Sequence, residues 1–232
     1  MVGLGVTLGL GWSVAQAGPR YAERILNLGV AVLLAALVGG RAFYVLLNWD
    51  YYRLHLRDIR WVWQGGLSGS GALLGGCLGL LLAAWYGRVA PAWLADQFLP
   101  LLASLMVTGW LACWLAGCAY GAVSNAWWAL PSGDEWGVSD FRLPVQFSGA
   151  VLSALALGWL ERNRALFHRH GLAATLALAA SALILFGLSF VRADPMPRWS
   201  GLRMDAWGAL AALAGAVIFG IICLSSSRME QP

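Results

Sequence analysis

The chain has 232 residues, 60% hydrophobic and 11% charged, with a mean hydropathy of +0.69. An average soluble domain is about 45–50% apolar and about 25% charged, so this composition excludes an ordinary soluble fold and predicts an all-α polytopic membrane protein. The net charge of +4 comes from arginine, with no lysine anywhere, and no nucleic-acid signature accompanies it.

Gaps between charges give seven candidate spans, residues 1–17, 25–48, 62–86, 97–120, 143–160, 172–191 and 206–224, in one membrane domain over residues 1–232. Each is close to the length a helix needs to cross the hydrocarbon. The first is apolar from Val2 to Trp12 and precedes Ala15-Gln16-Ala17-Gly18, a passable cleavage site. With no basic residue ahead of the apolar run, it reads as a span rather than a signal peptide. Pro19, Arg20, Glu23 and Arg24 form a short loop, and the second span contains Arg41 after Gly39-Gly40. A charge there either faces the interior on a functional path or snorkels to the interface.

The loop from Asp50 to Arg60 mixes Arg53, His55, Arg57 and Asp58 with Trp49, Tyr51, Tyr52, Trp61 and Trp63, the composition of an interfacial belt. Next comes a glycine-crowded stretch, Trp63 to Gly76, inside a run without charge from Trp61 to Gly87. Irregular backbone at membrane depth is tolerated only where protein or a water-filled cavity satisfies its polar groups, so this segment is expected to line a cavity. The fourth span opens after Asp96, and the uncharged stretch from Gln97 to Gly133 predicts a span plus a partly embedded loop; the small residues from Gly109 to Gly121 suit close helix packing.

The remaining polar clusters carry little chemistry. Asp134 and Glu135 are adjacent carboxylates, able in principle to do acid–base work but read more simply as solvated. His168 and His170 share a loop without a nucleophile or enough ligands for a metal. Cys77, Cys113, Cys118 and Cys223 all fall in apolar spans, where cysteine acts as a small hydrophobe, and neither zinc spacing nor a disulfide framework is evident. No phosphate loop or dinucleotide fingerprint is present, so no cofactor and no metal are expected. Assigning loops alternately to the two sides puts seven arginines on each side and Arg41 within a span, so charge does not orient the chain.

Taken in order, several pieces resemble the bacterial prolipoprotein diacylglyceryl transferase family, over nearly the whole chain. They are Gly40-Arg41 with Tyr44-Val45-Leu46, then Trp63-Gln64-Gly65-Gly66-Leu67-Ser68, Asp96 with Pro100, and Gly117, Tyr120 and Gly121. Pro144 with Gln146 and Phe190, Arg192 and Asp194 complete the series. The resemblance implies a seven-span inner-membrane enzyme that transfers diacylglyceryl from phosphatidylglycerol to a lipobox cysteine thiol, releasing glycerol phosphate. Such chemistry needs a cation for the departing phosphate and a group to take the thiol proton.

Here the chain departs from the family pattern. Ser70 stands where the family has its essential histidine, Trp110 where it has an arginine in span four, and Leu185 where a second arginine lies in span six; Cys113 takes a usual asparagine or cysteine place. The expected protein is therefore a divergent member with a phospholipid-binding cavity, a phosphatidylglycerol-like partner, and catalysis lost or altered. Headgroup contacts are expected from Arg41, Gln64, Ser68, Ser70, Gly121 and Gln146. Two alternatives stay open: a structural subunit with protein partners in a larger membrane complex, and an active transferase in which Arg41, Arg142 and Arg192 supply the missing charge.

Overall fold

The computed structural model describes residues 1–134 and 136–225, with Gln64 described by its backbone alone. Apolar runs become helices: α1 Val2–Ala17, α2 Ala22–Leu47, α4 Gly69–Gly87, α6 Leu99–Ala116, α7 Val145–Arg162, α8 Leu172–Ser189 and α9 Met204–Ser225, with short α3 Trp49–Tyr52 and α5 Pro91–Gln97 between them. Two small antiparallel hairpins lie in the connections, β1 Leu130–Gly133 with β2 Ser139–Arg142, and β3 Arg198–Trp199 with β4 Leu202–Arg203. By length and composition five helices are able to cross a membrane: α2, α4, α6, α8 and α9. Helix α1 is apolar but only 16 residues long, and α7, at 18 residues, ends in Glu161 and Arg162. The protein is a multi-pass, all-α membrane protein whose long helices follow the expected order.

The third expected span begins late. Residues Leu56–Arg60 and Val62–Gln64 are 3₁₀ turns, and Gly65 and Gly66 take positive φ values of 91° and 74°. Regular helix starts at Gly69, capped by the Ser68 hydroxyl, which accepts from Gly71 N at 3.3 Å. Most of the glycine-crowded stretch is thus helical rather than irregular. Its glycines serve contact with α2: a Cβ on Gly39 would lie 2.6 Å from Gly75 Cα, and one on Gly75 would lie 2.6 Å from the Ala35 carbonyl oxygen. Two backbones approach this closely only where side chains are absent.

The N-terminal half packs round Ile25, Leu28, Leu94, Phe98 and Leu101, which join α1, α2, α4, α5 and α6. A second cluster, Leu99, Leu157, Leu160, Ala173 and Ala177, ties α6 to α7 and α8. Helix α8 is preceded by its N-cap residue Gly171 (φ 85°), where Asp96 of α5 reaches across the chain: Gly171 N and Ala174 N donate to its two carboxylate oxygens at 2.6 and 3.1 Å. A carboxylate at a helix N-terminus satisfies orphan donors and suits the dipole. Burial nonetheless pushes the Asp96 pKa above its ordinary value, outweighing the lowering by those two N–H bonds, His170 and Arg164.

Candidate functional site

Polar groups gather at the bundle end formed by the C-termini of α2, α6 and α8 and the N-termini of α4, α7 and α9. Arg41, 7% exposed in the last two turns of α2, points into the 58–66 loop. Its Nε donates to the Ile59 carbonyl at 2.8 Å, Nη1 to Gly65 and Gly66 at 2.7 and 2.9 Å, and Nη2 to Asp58 at 2.6 Å and, more weakly, Trp61 at 3.5 Å. A guanidinium has five N–H donors, and each finds a backbone carbonyl. Its carbon also sits 5.3 Å from the Tyr52 ring centroid. Arg41 therefore organises the loop; the geometry gives it neither a free donor for phosphate nor a snorkelling path.

Beside it, Ser68 N donates to the Gly40 carbonyl at 3.0 Å, and the Ser68 and Ser70 hydroxyls lie 3.0 Å apart, both buried. Ser70 meets α9: a Cβ on Gly208 would lie 2.7 Å from Ser70 Oγ. The Gln64 side chain lies outside the described residues.

Gly121 and Gln146 belong to a second group. Helix α6 ends at Gly117 (φ 66°), so the chain turns back and Cys118 N donates to the Cys113 carbonyl at 2.9 Å. That return brings Cys113 and Cys118 to a Cα separation of 4.7 Å, and they form a disulfide that was not evident from the sequence, where both read as small hydrophobes. Buried Gln146 donates from Nε2 to the Cys118 carbonyl at 3.0 Å and to Ser132 Oγ at 3.4 Å. Arg142, 8% exposed, pairs with Asp134 at 3.2 Å and lies over the Tyr120 ring at 4.6 Å. Asp134 is thus an ion-pair partner rather than a solvated acid; Glu135 lies outside the described residues. Among the described groups, Arg142 Nε and Gln146 Oε1 are buried without a hydrogen-bond partner.

A ring of ion pairs joins the two groups. Gly121 pairs with Arg192 in an isolated β-bridge. Arg192 contacts Asp194 at 2.6 Å and Asp205 at 3.0 Å, while Arg203 contacts Asp194 and Asp205, each at 3.2 Å. Burial opposes the Arg192 charge, yet the hydrogen bond and charge of Asp194 and the charge of Asp205 outweigh it and raise its pKa. Asp205 stands one turn before Gly208, the α9 residue that meets Ser70. Sequence reading missed Arg203, Asp205 and the Arg142–Asp134 pair; the repeated Arg-x-Asp spacing at 192/194 and 203/205 was the available signal.

Trp110 and Leu185 occupy the interior just below. Both belong to one apolar cluster with Ala119, Val145, Ala150, Ile184 and Leu188. The Trp110 indole lies flat on Gly149 of α7, where a Cβ would overlap the ring. Two cavities lie elsewhere. A groove of about 420 Å³ runs along the outer face of α2 beneath Ile59 and Val62, lined by Leu37, Val38, Val45 and Leu46 with Arg41 at its head. A second, about 360 Å³, lies in the 124–141 connection beside Asn125, Trp127, Asp140 and Phe141. No group of three or more His, Cys, Asp or Glu side chains among the described residues is placed to hold a metal ion.

Comparison with known proteins gives one consistent result. The family model for prolipoprotein diacylglyceryl transferase matches residues 1–222. Among curated proteins, the chain is 30% identical over 88% of its length to phosphatidylglycerol–prolipoprotein diacylglyceryl transferase of Streptomyces avermitilis, covering 61% of that protein. Its counterpart in Ruegeria pomeroyi is 31% identical over 77% of this chain and 64% of its own length. The Thermosynechococcus vestitus protein is 28% identical over 56% of this chain and 49% of its own length. The chain thus spans about half to two thirds of the length of these relatives.

Proposed function

The chain belongs to the prolipoprotein diacylglyceryl transferase family, and from that membership we propose that it keeps the family's lipid-facing membrane scaffold while diacylglyceryl transfer itself is lost or greatly altered. The observation that carries this reading is the apolar packing of Trp110 and Leu185 where the family resemblance calls for two arginines. Removing one preorganised group that stabilises developing charge costs about 100-fold to 1000-fold in rate. With two arginines and a histidine replaced, phosphate departure and thiol activation both lack their groups. The buried guanidinium groups nearby do not substitute: Arg192 and Arg203 are held by Asp194 and Asp205, and Arg41 by carbonyls. Among the described residues, Arg142 Nε is a buried guanidinium donor without a partner.

Lipid contact survives in a different form. The groove along α2 is apolar and of a size that suits part of an acyl chain. Phosphatidylglycerol, named in the relatives, is the ligand assigned to it, in the bacterial inner membrane. The deciding experiment incubates purified protein with phosphatidylglycerol and a lipobox peptide. No thioether product is expected, and turnover at a rate near that of a full-length relative would overturn the reading.

One observation favours a second reading, a structural subunit: Trp127 and Trp136, in the 117–144 connection, are 90% and 82% exposed. Large exposed aromatics outside the helices fit a protein partner. Co-purification of a stoichiometric partner in mild detergent, lost on replacing both tryptophans, would establish it.

A further inference from the structure

The bundle end opposite Arg41 and Gln146, where α2 begins and α4 stops, carries arginines that no carboxylate neutralises. The Arg20 guanidinium carbon lies 5.6 Å from the Tyr21 ring centroid, and Tyr21 in turn packs edge-on against Trp93 of α5 at 5.7 Å. Arg24, in the first turn of α2, donates from Nη2 to the Gly87 carbonyl at the end of α4. Arg88 follows as the C-cap of α4, at a positive φ of 49° where glycine is the usual occupant. All three arginines are exposed, and among the described residues none has an acidic partner. Glu23, the acid next to Arg24, is exposed and makes no salt bridge to a described residue. An exposed apolar face of α4, formed by Leu78, Leu81, Leu82, Trp85 and Tyr86, runs up to this cluster. The spacing puts those five side chains on one side of the helix.

We propose that Arg20, Arg24 and Arg88 form a docking site for the phosphate of an anionic phospholipid, whose acyl chains lie along the outer face of α4. The site is separate from the α2 groove, and it is independent of whether transfer persists. Three like charges held together repel one another, and a phosphodiester among them removes that cost. A guanidinium pairs two phosphate oxygens at once. Stacking on Tyr21 leaves the in-plane N–H donors of Arg20 free to do so, and neither Arg20 nor Arg88 donates a side-chain hydrogen bond to a described residue. The Gly87 carbonyl fixes Arg24 beside Arg88, so two cations from different helices meet at one headgroup. Tyr21, Trp85, Tyr86 and Trp93 are side chains that settle at headgroup level, which places the arginines at the depth of lipid phosphate. A zwitterionic lipid would bring its own cation into the same patch and bind less well.

Amide hydrogen exchange on the purified, delipidated protein in detergent tests this, with dioleoylphosphatidylglycerol, dioleoylphosphatidylcholine and sn-glycerol 3-phosphate titrated in turn. Phosphatidylglycerol should slow exchange at residues 18–24 and 87–93, and the other two should not at the same concentration. Amides at 37–46 report the α2 groove separately, so the loss of one signal leaves the other readable. The double variant Arg20→Gln/Arg88→Gly removes two charges and gives the left-handed position a residue suited to it, and Arg24 keeps its contact with Gly87. Its affinity for phosphatidylglycerol, read at 18–24 and 87–93, should fall about fivefold for each arginine, or roughly 25-fold. Raising the salt from about 0.1 M to about 1 M should weaken the wild-type effect in the same direction. Equal protection by phosphatidylcholine, or a double variant that binds as the wild type does, would overturn the proposal. Protection by sn-glycerol 3-phosphate alone would overturn its lipid half, since the patch would then read a free phosphate.

Discussion

At Arg41, one side chain replaces what a longer stretch of secondary structure would otherwise do. The 58–66 loop presents carbonyls with no ladder to receive them, and burying an unsatisfied acceptor costs about 1–3 kcal/mol each. Arg41→Ala is therefore expected to destabilise the protein by about 2 kcal/mol or more and to open the loop to protease. Arg41→Lys should recover only part of this, since an ammonium offers three donors without the planar fork. Thermal unfolding in detergent, with cleavage mapped to residues 56–66, checks both. Asp96 poses a different problem, because it caps α8 while paying for its charge by burial. Its folded pKa is raised, so its contribution to stability is fully present below the unfolded value and is lost as pH rises through the folded one. The melting temperature should fall over that window in the wild type, and Asp96→Asn should flatten this part of the profile. An identical pH dependence in the two proteins would rule out the assignment.

Between elements, the α2–α4 crossing depends on the absence of side chains at Gly39, Gly71 and Gly75. Gly75→Val must push the helices apart, because its Cβ would meet Ala35 O at 2.6 Å and Gly39 Cα at 2.8 Å, both backbone atoms that do not yield. Overpacking of this kind costs about 1–3 kcal/mol, and here it also displaces Ser68 and the Arg41 loop, which hang on the same crossing. The expected result is a lower melting temperature together with protease sensitivity at 58–66. By contrast Gly3 and Gly11 face open space, and alanine at either should leave the melting temperature unchanged. The glycine spacing on α2 and α4 was legible in the sequence as a packing signal. That most of the stretch is helical was not, because the boundary at Gly69 is set by the Ser68 cap and by two positive-φ glycines rather than by any change in hydropathy.

For the molecule as a whole, the question is whether the interior would accept a charge. Trp110→Arg would place a guanidinium in an apolar cluster, and burying a charge there without a partner costs several kcal/mol. The variant is expected to be less stable and to show no gain of diacylglyceryl transfer, measured by thermal unfolding and by thioether formation. Recovery of activity from this one change would mean that the fold still holds the remaining machinery in place. The ion pairs among Arg192, Asp194, Arg203 and Asp205 work at the same scale, since they connect α8 to α9 and, through Gly121, to the end of α6.

The sequence by itself determined the membrane class, the order of the long helices and the family. Those are properties of composition and linear order, and apolar runs of helical length have few other stable outcomes in a bilayer. Only the tertiary structure decided what the polar residues do. Arg41 is spent on carbonyls of a loop 17 to 25 residues away, and Cys113 meets Cys118 because α6 stops at Gly117 and the chain folds back. A charge or a thiol takes its role from what lies within about 3 to 4 Å in space, and for these groups the partners come from other turns and other helices, which hydropathy does not specify.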